Sequence, residues 1–365
     1  MAAKNTTLRQ KNTSGVYDKL YTKTPATQSK LSTETAALFG EGISDADAAL
    51  AKIADTVKSI GNVQVKVVDP SGNPIQGARI TGLYGTPTTA SDGTAHGVLQ
   101  TNPISISSPY IDLKDQTADA SGYVGSFDVL VVTLPIVGEN GITRITSSKT
   151  VKFSKAVKSV DVCCVGGGGG GGEVVSYYDG VQLYAGYGAG GGGGGITNTY
   201  GLIPTSNQSY QIIVGSGGQT GYQNIVAGTS SFMTASAVGG KSPSHTTPLG
   251  KYDLMSYGGP AGGIGCGNGG DRYENGKSNT TVSEFDDGIT FYSGGGGGGG
   301  QTSGGTPNGA SGGYQSGSGS MINASTPGIG GGGGGGAYDS IEGNRYNSAY
   351  PSAGGPGLVA IRFHF

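Results

Sequence analysis

The sequence predicts a multidomain chain, mainly β and irregular. Its expected parts are an N-terminal helical segment, a small β-sandwich spacer and a C-terminal bundle of polyglycine-II-type helices with flanking β-strands. Three observations predict it. Four runs of six or seven consecutive glycines occur at Gly166–Gly172, Gly190–Gly195, Gly294–Gly300 and Gly330–Gly336. Strand-like stretches abut them, among them "SVDVCCV" and "GLVAIRFHF". The composition also breaks near residue 150: of 75 glycines, 14 lie up to residue 160 and 61 after it, and the 20 tyrosines divide 5 and 15. The boundaries expected are 1–61, 62–148 and 149–365.

The first part is polar, then helical. In "SDADAALAKIADTVKSIG", Ser44 is placed as N-cap, Asp47 follows three residues on, and Gly61 is the stop. Ala46, Leu50, Ile53, Val57 and Ile60 recur at spacings of four, three, four and three. That seam suits a short coiled coil, and it equally suits an amphipathic helix packed on its own domain. Self-association is the more economical way to bury it, and three chains are expected.

The second part opens with an alternating strand at Val63, Val65 and Val67, followed by turn chemistry in "DPSGNP". Asp69, Gly72, Pro74, Gly77 and Ala78, with the later "SDGTAHG", resemble the turns of carboxypeptidase-regulatory-like and related Ig-like modules. The resemblance implies a spacer without chemistry of its own.

The glycine runs admit two readings. Ordering seven glycines costs on the order of 10 kcal/mol of backbone entropy, so uncompensated runs are flexible linkers. Their near-constant length, the abutting strands and the tyrosines between them favour a packed material instead. A polyproline-II-type helix has three residues per turn and no internal hydrogen bonds, so its backbone groups must bond neighbours. Only glycine lets such backbones touch. Seven residues make a rod about 22 Å long.

Other chemistry is thinly represented. Formal net charge is −2, which argues against a nucleic-acid surface. There is no 18-residue apolar stretch, so membrane insertion is not expected, and "MAAKNTTLRQKN" lacks the core of a signal peptide. Cys163, Cys164 and Cys266 read as buried thiols; the first two, adjacent on a strand, point to opposite faces. No metal or cofactor is expected, because His96, His245 and His364 are scattered. "ASAVGGKS" formally matches a phosphate loop, but Pro243 and Pro248 deny it the helix it needs. Glu284, Asp286 and Asp287 are the one acidic cluster that could serve a glycosidase, and a solvated surface is their ordinary reading.

The positive signal lies between the runs, in 173–189, 241–257, 271–293, 301–327 and 337–353. These segments are rich in Tyr, Ser, Gly and Asn, the residues that dominate antibody paratopes. The candidate receptor-binding residues are Tyr177, Tyr178, Tyr184, Tyr187, Tyr252, Tyr257, Tyr273, Tyr292, Tyr314, Tyr338, Tyr346 and Tyr350.

The poly-Gly blocks, the "YQIIVGSGG" strand and the terminal "GGPGLVAIRF" resemble the glycine-rich receptor-binding tips of phage tail fibres, including T-even long-tail-fibre adhesins. "NTTLRQKNTSGVYDKLYTKT" is similar to the attachment ends of fibres from phages and phage-tail-like bacteriocins of Gram-positive hosts. The resemblance implies a virion-borne, non-enzymatic fibre. It would be a homotrimer that binds a host glycan or surface protein and joins the baseplate or tail through its N-terminus. A tail-spike depolymerase using the acidic cluster is the alternative, and a glycine-rich filament protein a third reading.

Overall fold

The computed structural model describes residues 8–11, 17–20, 50–53, 61–137, 141–173, 175–178, 183–186, 188–221, 225–245, 256–263, 266–271, 274–288, 290, 292–299, 304–312, 314–315, 321–341 and 345–365. These residues are mostly β and irregular, with very little helix. Two compact units divide the chain. One runs to Pro109 and resumes at Leu113–Ile136; the other holds Tyr110–Asp112 and Val137–Phe365.

The expected N-terminal helix lies largely outside the described residues. The residues of it that are described, 50–53, form a helical turn, with Leu50 and Ile53 exposed. Ala46, Val57 and Ile60 are not among the described residues. Residues 1–61 also contain an antiparallel hairpin of Leu8–Lys11 with Tyr17–Leu20. Its signal was available: a five-residue connection containing Gly15 between two short runs.

The first unit carries two three-stranded sheets. One has Asn62–Val68 at its centre, antiparallel to Thr94–Val98 and parallel to Val129–Thr133. The other orders Arg79–Thr81, Ile104–Ser107 and Gln116–Ala118 antiparallel. Alternation decides the burial: Val63, Val65, Val67, Ile80, Ile104 and Ile106 are fully enclosed. The turns follow from their residues. The Asp69 carboxylate accepts the Ser71 and Asn73 N–H groups, both at 2.9 Å, and Gly72 takes the left-handed conformation at φ 80°. Gly93 has φ 79°, and a Cβ there would run into the Val67 carbonyl.

In the second unit, the strands Ile196–Leu202, Ser159–Val165, Leu358–His364 and Ile142–Ile145 form one antiparallel sheet in that order. Lys149–Val151, Tyr210–Ile213, Ser230–Phe232 and Ala235–Ala237 form a second. They share a core in which the Phe153 ring meets Tyr210, Phe232 and Phe363 at 5.8, 6.0 and 6.3 Å. Alternation splits the adjacent cysteines as expected. Cys164 joins this core with Val160, Val162, Ile361 and Phe363, while Cys163 faces Phe285, Tyr292 and Leu358. Both thiols are free, and Cys266 is too.

The register slips between Val160 and Val162. Asp161 sits at that slip, and its carboxylate takes up the donor freed opposite, the Gly201 N–H at 3.0 Å. Arg362 and His364 also reach Asp161, at 2.6 and 2.8 Å. Burial alone would raise the Asp161 pKa, but these three donors together hold it below the ordinary carboxylate value.

Candidate functional site

The described residues of all four glycine runs are buried, and none belongs to a helix or a strand. Their amides bond across the unit. Gly166, Gly169 and Gly172 donate to Gly195, Gly192 and Ala189, at 2.8–2.9 Å. Gly168 and Gly171 donate to Gly355 and Ser352, and Gly167 donates to Gly228. In the second run, 190 and 193 bond 270 and 267; 191 and 194 bond 333 and 330; 192 and 195 bond 241 and 238. In the third, 294 and 297 bond 307 and 310, 295 and 298 bond 277 and 274, and 296 and 299 bond 191 and 188. Residues three apart in one run therefore bond residues three apart in one neighbour. The partner rises or falls with them, so neighbours run both parallel and antiparallel. A Cβ on Gly168, Gly171, Gly191, Gly296 or Gly332 would meet a neighbouring backbone carbonyl closer than real Cβ atoms approach. Glycine is required at these points because backbone lies against backbone.

This ladder has two ends. At one, Gly166 bonds Gly195, Gly194 bonds Gly330, Gly332 bonds Gly294, and Gly330 bonds Pro356. The strands Ser159–Val165, Ile196–Leu202 and Leu358–His364 adjoin that end. At the other, Gly172 bonds Ala189, Gly188 bonds Gly336, Gly336 bonds Gly172, and Gly299 bonds Gly188. The tyrosine-rich segments leave from this second end. Val175–Tyr178 pairs with Leu183–Gly186, and Ala337–Ile341 with Arg345–Ala349. Tyr314–Gln315 pairs with Met321–Ile322. These three hairpins gather together: Leu183–Gly186 lies beside Ala337–Ile341, and the short hairpin touches both strands of the longest one. The chain leaving Lys241 and returning at Gly259 departs from the same end and carries the pair Ser244–His245 with Ser256–Tyr257.

The twelve candidate tyrosines fall out unequally. Tyr177, Tyr178, Tyr184, Tyr314, Tyr338 and Tyr346 lie on the gathered hairpins. Tyr350 follows the longest hairpin and is 69% exposed; Tyr257, on the fourth, is 42% exposed. Tyr187, Tyr252 and Tyr273 lie outside the described residues. Tyr292 lies apart from them. Segment 271–293 does not stay at the hairpin end, because the Gly295 and Gly298 bonds to Lys277 and Glu274 carry the chain to the sheet end. There Tyr292 is buried, and its hydroxyl donates to Glu284 at 2.6 Å. Burial first, then the Glu284 carboxylate, push its pKa upward. It serves the core.

The acidic cluster lies in this same sheet-end loop. Glu284 is fully enclosed and ion-paired with Arg144 at 3.1 Å. Asp286 accepts from Asn198 at 2.9 Å and from Tyr200 at 2.5 Å. Desolvation and then Asp286 push the Tyr200 pKa up to about 12. Asp287 caps its own turn through the Thr290 N–H at 3.0 Å. All three carboxylates thus hold the loop in place, with Phe285 and Asp286 at φ 51° and 57° and the Arg362 guanidinium over the Phe285 ring at 4.7 Å. No grouping of His, Cys, Asp and Glu among the described residues could hold a metal. The phosphate-loop lookalike is spoken for as well: Gly240, Lys241 and Ser242 donate their amides to Gly167, Pro260 and Ile225. Burial raises the thiol pKa of Cys164 to about 12 and of Cys266 to about 11, which makes them inert.

A family model described as a glycine-rich domain matches residues 143–364, more than half the chain. The chain belongs to the glycine-rich domain family. The matched span takes in both sheets of the second unit, all four runs and every hairpin that leaves them. No curated protein matches the sequence.

Proposed function

We propose that this glycine-rich domain protein is a tail-fibre receptor-binding protein of a phage or phage-tail-like particle. The second unit is its adhesin tip, built as a sandwich of polyglycine-II rods. The observation that carries the reading is the three-residue repeat of the run-to-run hydrogen bonds, together with the departure of the tyrosine-rich hairpins from one end of that ladder. Three residues per turn is the repeat of the polyglycine-II conformation, and outward backbone groups bonded to several neighbours are what its packing requires. A slab fixed by backbone alone leaves its loops free to vary, which is how a scaffold carries recognition.

In this reading the first unit is a β-sandwich spacer and the N-terminal segment joins the baseplate or tail. A homotrimer multiplies modest contacts into firm host attachment. The receptor is a surface molecule of the host bacterium, a glycan or a protein, and the protein is a non-enzymatic part of the virion. The depolymerase alternative draws no support from Glu284, whose carboxylate is occupied by Arg144 and Tyr292.

The test is adsorption of the full chain to host cells after Tyr177→Ala with Tyr178→Ala, and separately Tyr338→Ala with Tyr346→Ala. Anchors of this kind commonly cost about 2 kcal/mol or more each, so a lost pair weakens binding by roughly 700-fold or more. Native-like adsorption by both variants would refute the assignment. Release of sugar fragments from host envelopes would replace it with the depolymerase.

A further inference from the structure

We infer that the gathered hairpins form a stacking platform for an uncharged polysaccharide. The inference rests on the proposed receptor-binding role of this end and narrows its ligand class.

The first ground is register. In the longest hairpin Tyr338 pairs with Ser348 and Ser340 with Tyr346, so these four residues share one face as an alternation of Tyr and Ser. In the adjacent hairpin Tyr177 pairs directly with Tyr184. The strand bearing Tyr184 lies beside the strand bearing Tyr338. Two hairpins therefore bring four tyrosines into one corner of the unit, those of the longer hairpin alternating with serines. A sugar ring has an apolar C–H face and hydroxyl edges, and alternating aromatic and hydroxyl residues match both at the spacing of a strand pair.

The second ground is charge. Segments 173–187, 313–323 and 337–350 carry Glu173, Asp179, Asp339 and Glu342 against a single cation, Arg345. A site for phosphate- or carboxylate-bearing polymers needs the reverse balance, with arginine forks at its centre. An uncharged glycan is the ligand class that these residues serve without a charge penalty.

The experiment presents the full chain with immobilised neutral bacterial O-polysaccharides, with poly(glycerol phosphate), and with a basic protein, at 50 and 500 mM NaCl. Binding is expected on at least one neutral polysaccharide and should change less than about twofold between the two salts, since no charge pairs are screened. Tyr184→Ala and Tyr338→Ala should each weaken it about tenfold. Tyr184→Phe keeps the ring and should stay within about threefold of the native chain, which separates stacking from mere folding. Preference for the anionic polymer or the basic protein, or no binding to any neutral member, overturns the inference. If cell adsorption still falls in the double tyrosine variants, the receptor-binding role survives that outcome. If adsorption is also native-like there, both readings fail.

Discussion

Replacing Gly191 with alanine tests the glycine ladder at a point where backbone meets backbone on several sides. The Gly191 N–H donates to Gly333 at 2.8 Å, and its carbonyl accepts from Gly296 at 2.8 Å. A Cβ on it would strike the Gly169 carbonyl and approach that of Gly170, all of it backbone that no rotamer change can move. The runs must separate. Two buried hydrogen bonds left unmade cost about 1–3 kcal/mol each, and overpacking adds about 1–3 kcal/mol. The sum, about 3–9 kcal/mol, rivals the entire stability of an ordinary domain. Alanine also restricts the unfolded chain, but that favours folding by only about 0.4–1 kcal/mol and cannot offset the clash. Thermal unfolding of the full chain, followed by near-UV tyrosine signal, should show a transition at least about 6 °C lower, or no folded second unit at all. Gly122→Ala, where a new Cβ meets nothing within 4 Å, is the control and should leave the melting point nearly unchanged. A Gly191→Ala chain that melts at or above the native temperature would refute the reasoning, because that is what a linker glycine does.

Removing Arg144 by Arg144→Ala should lower the unfolding free energy measured by denaturant titration by about 2 kcal/mol, since Glu284 would stay enclosed without its cation. That figure is reduced for the half-exposure of the Arg144 side chain, and Arg144→Met with Glu284→Gln should recover much of the loss. The lowered pKa of Asp161 gives stability that is fully present above its ordinary value of 3.8 and lost as pH falls through the folded value. Acid titration below about pH 4 should therefore loosen the native second unit. Asp161→Asn should lower stability at neutral pH and flatten that acid limb, and an unchanged limb would remove Asp161 from the account.

Much of the second unit could be read from sequence because its signals are local. The terminal strand shows period-two alternation, and the structure buries both its faces from Leu358 to Ile361 because a cluster packs on each: Val359 and Ile361 join the Phe153 core, Leu358 and Ala360 the one with Phe285 and Tyr292. Cys163 and Cys164 parted to opposite faces for the same reason. What sequence could not supply is which glycine bonds which. Every residue in a run is the same, so register must come from tertiary contacts such as Gly192 to Lys241. That is why Tyr292 reads in the sequence like the other tyrosines between the runs. The whole of 271–293 looks like one polar tyrosine-rich loop until the Gly295–Lys277 bond turns its second half toward the sheet. The Arg144–Glu284 pair, 140 residues apart, leaves no local trace either. The hairpin at Leu8–Leu20 is legible from its turn, a five-residue connection containing Gly15.

Amide hydrogen exchange across the four glycine runs is the most direct measurement. If the runs are the ordered core, the amides of 166–169, 171–172, 190–195, 294–299 and 330–336 exchange as slowly as those of the strand Ser159–Val165, because each donates to a backbone carbonyl or, at Gly334, to the Ser352 hydroxyl. Exchange of these runs at the rate of an unstructured chain, while the strand stays protected, would make them linkers and contradict the account.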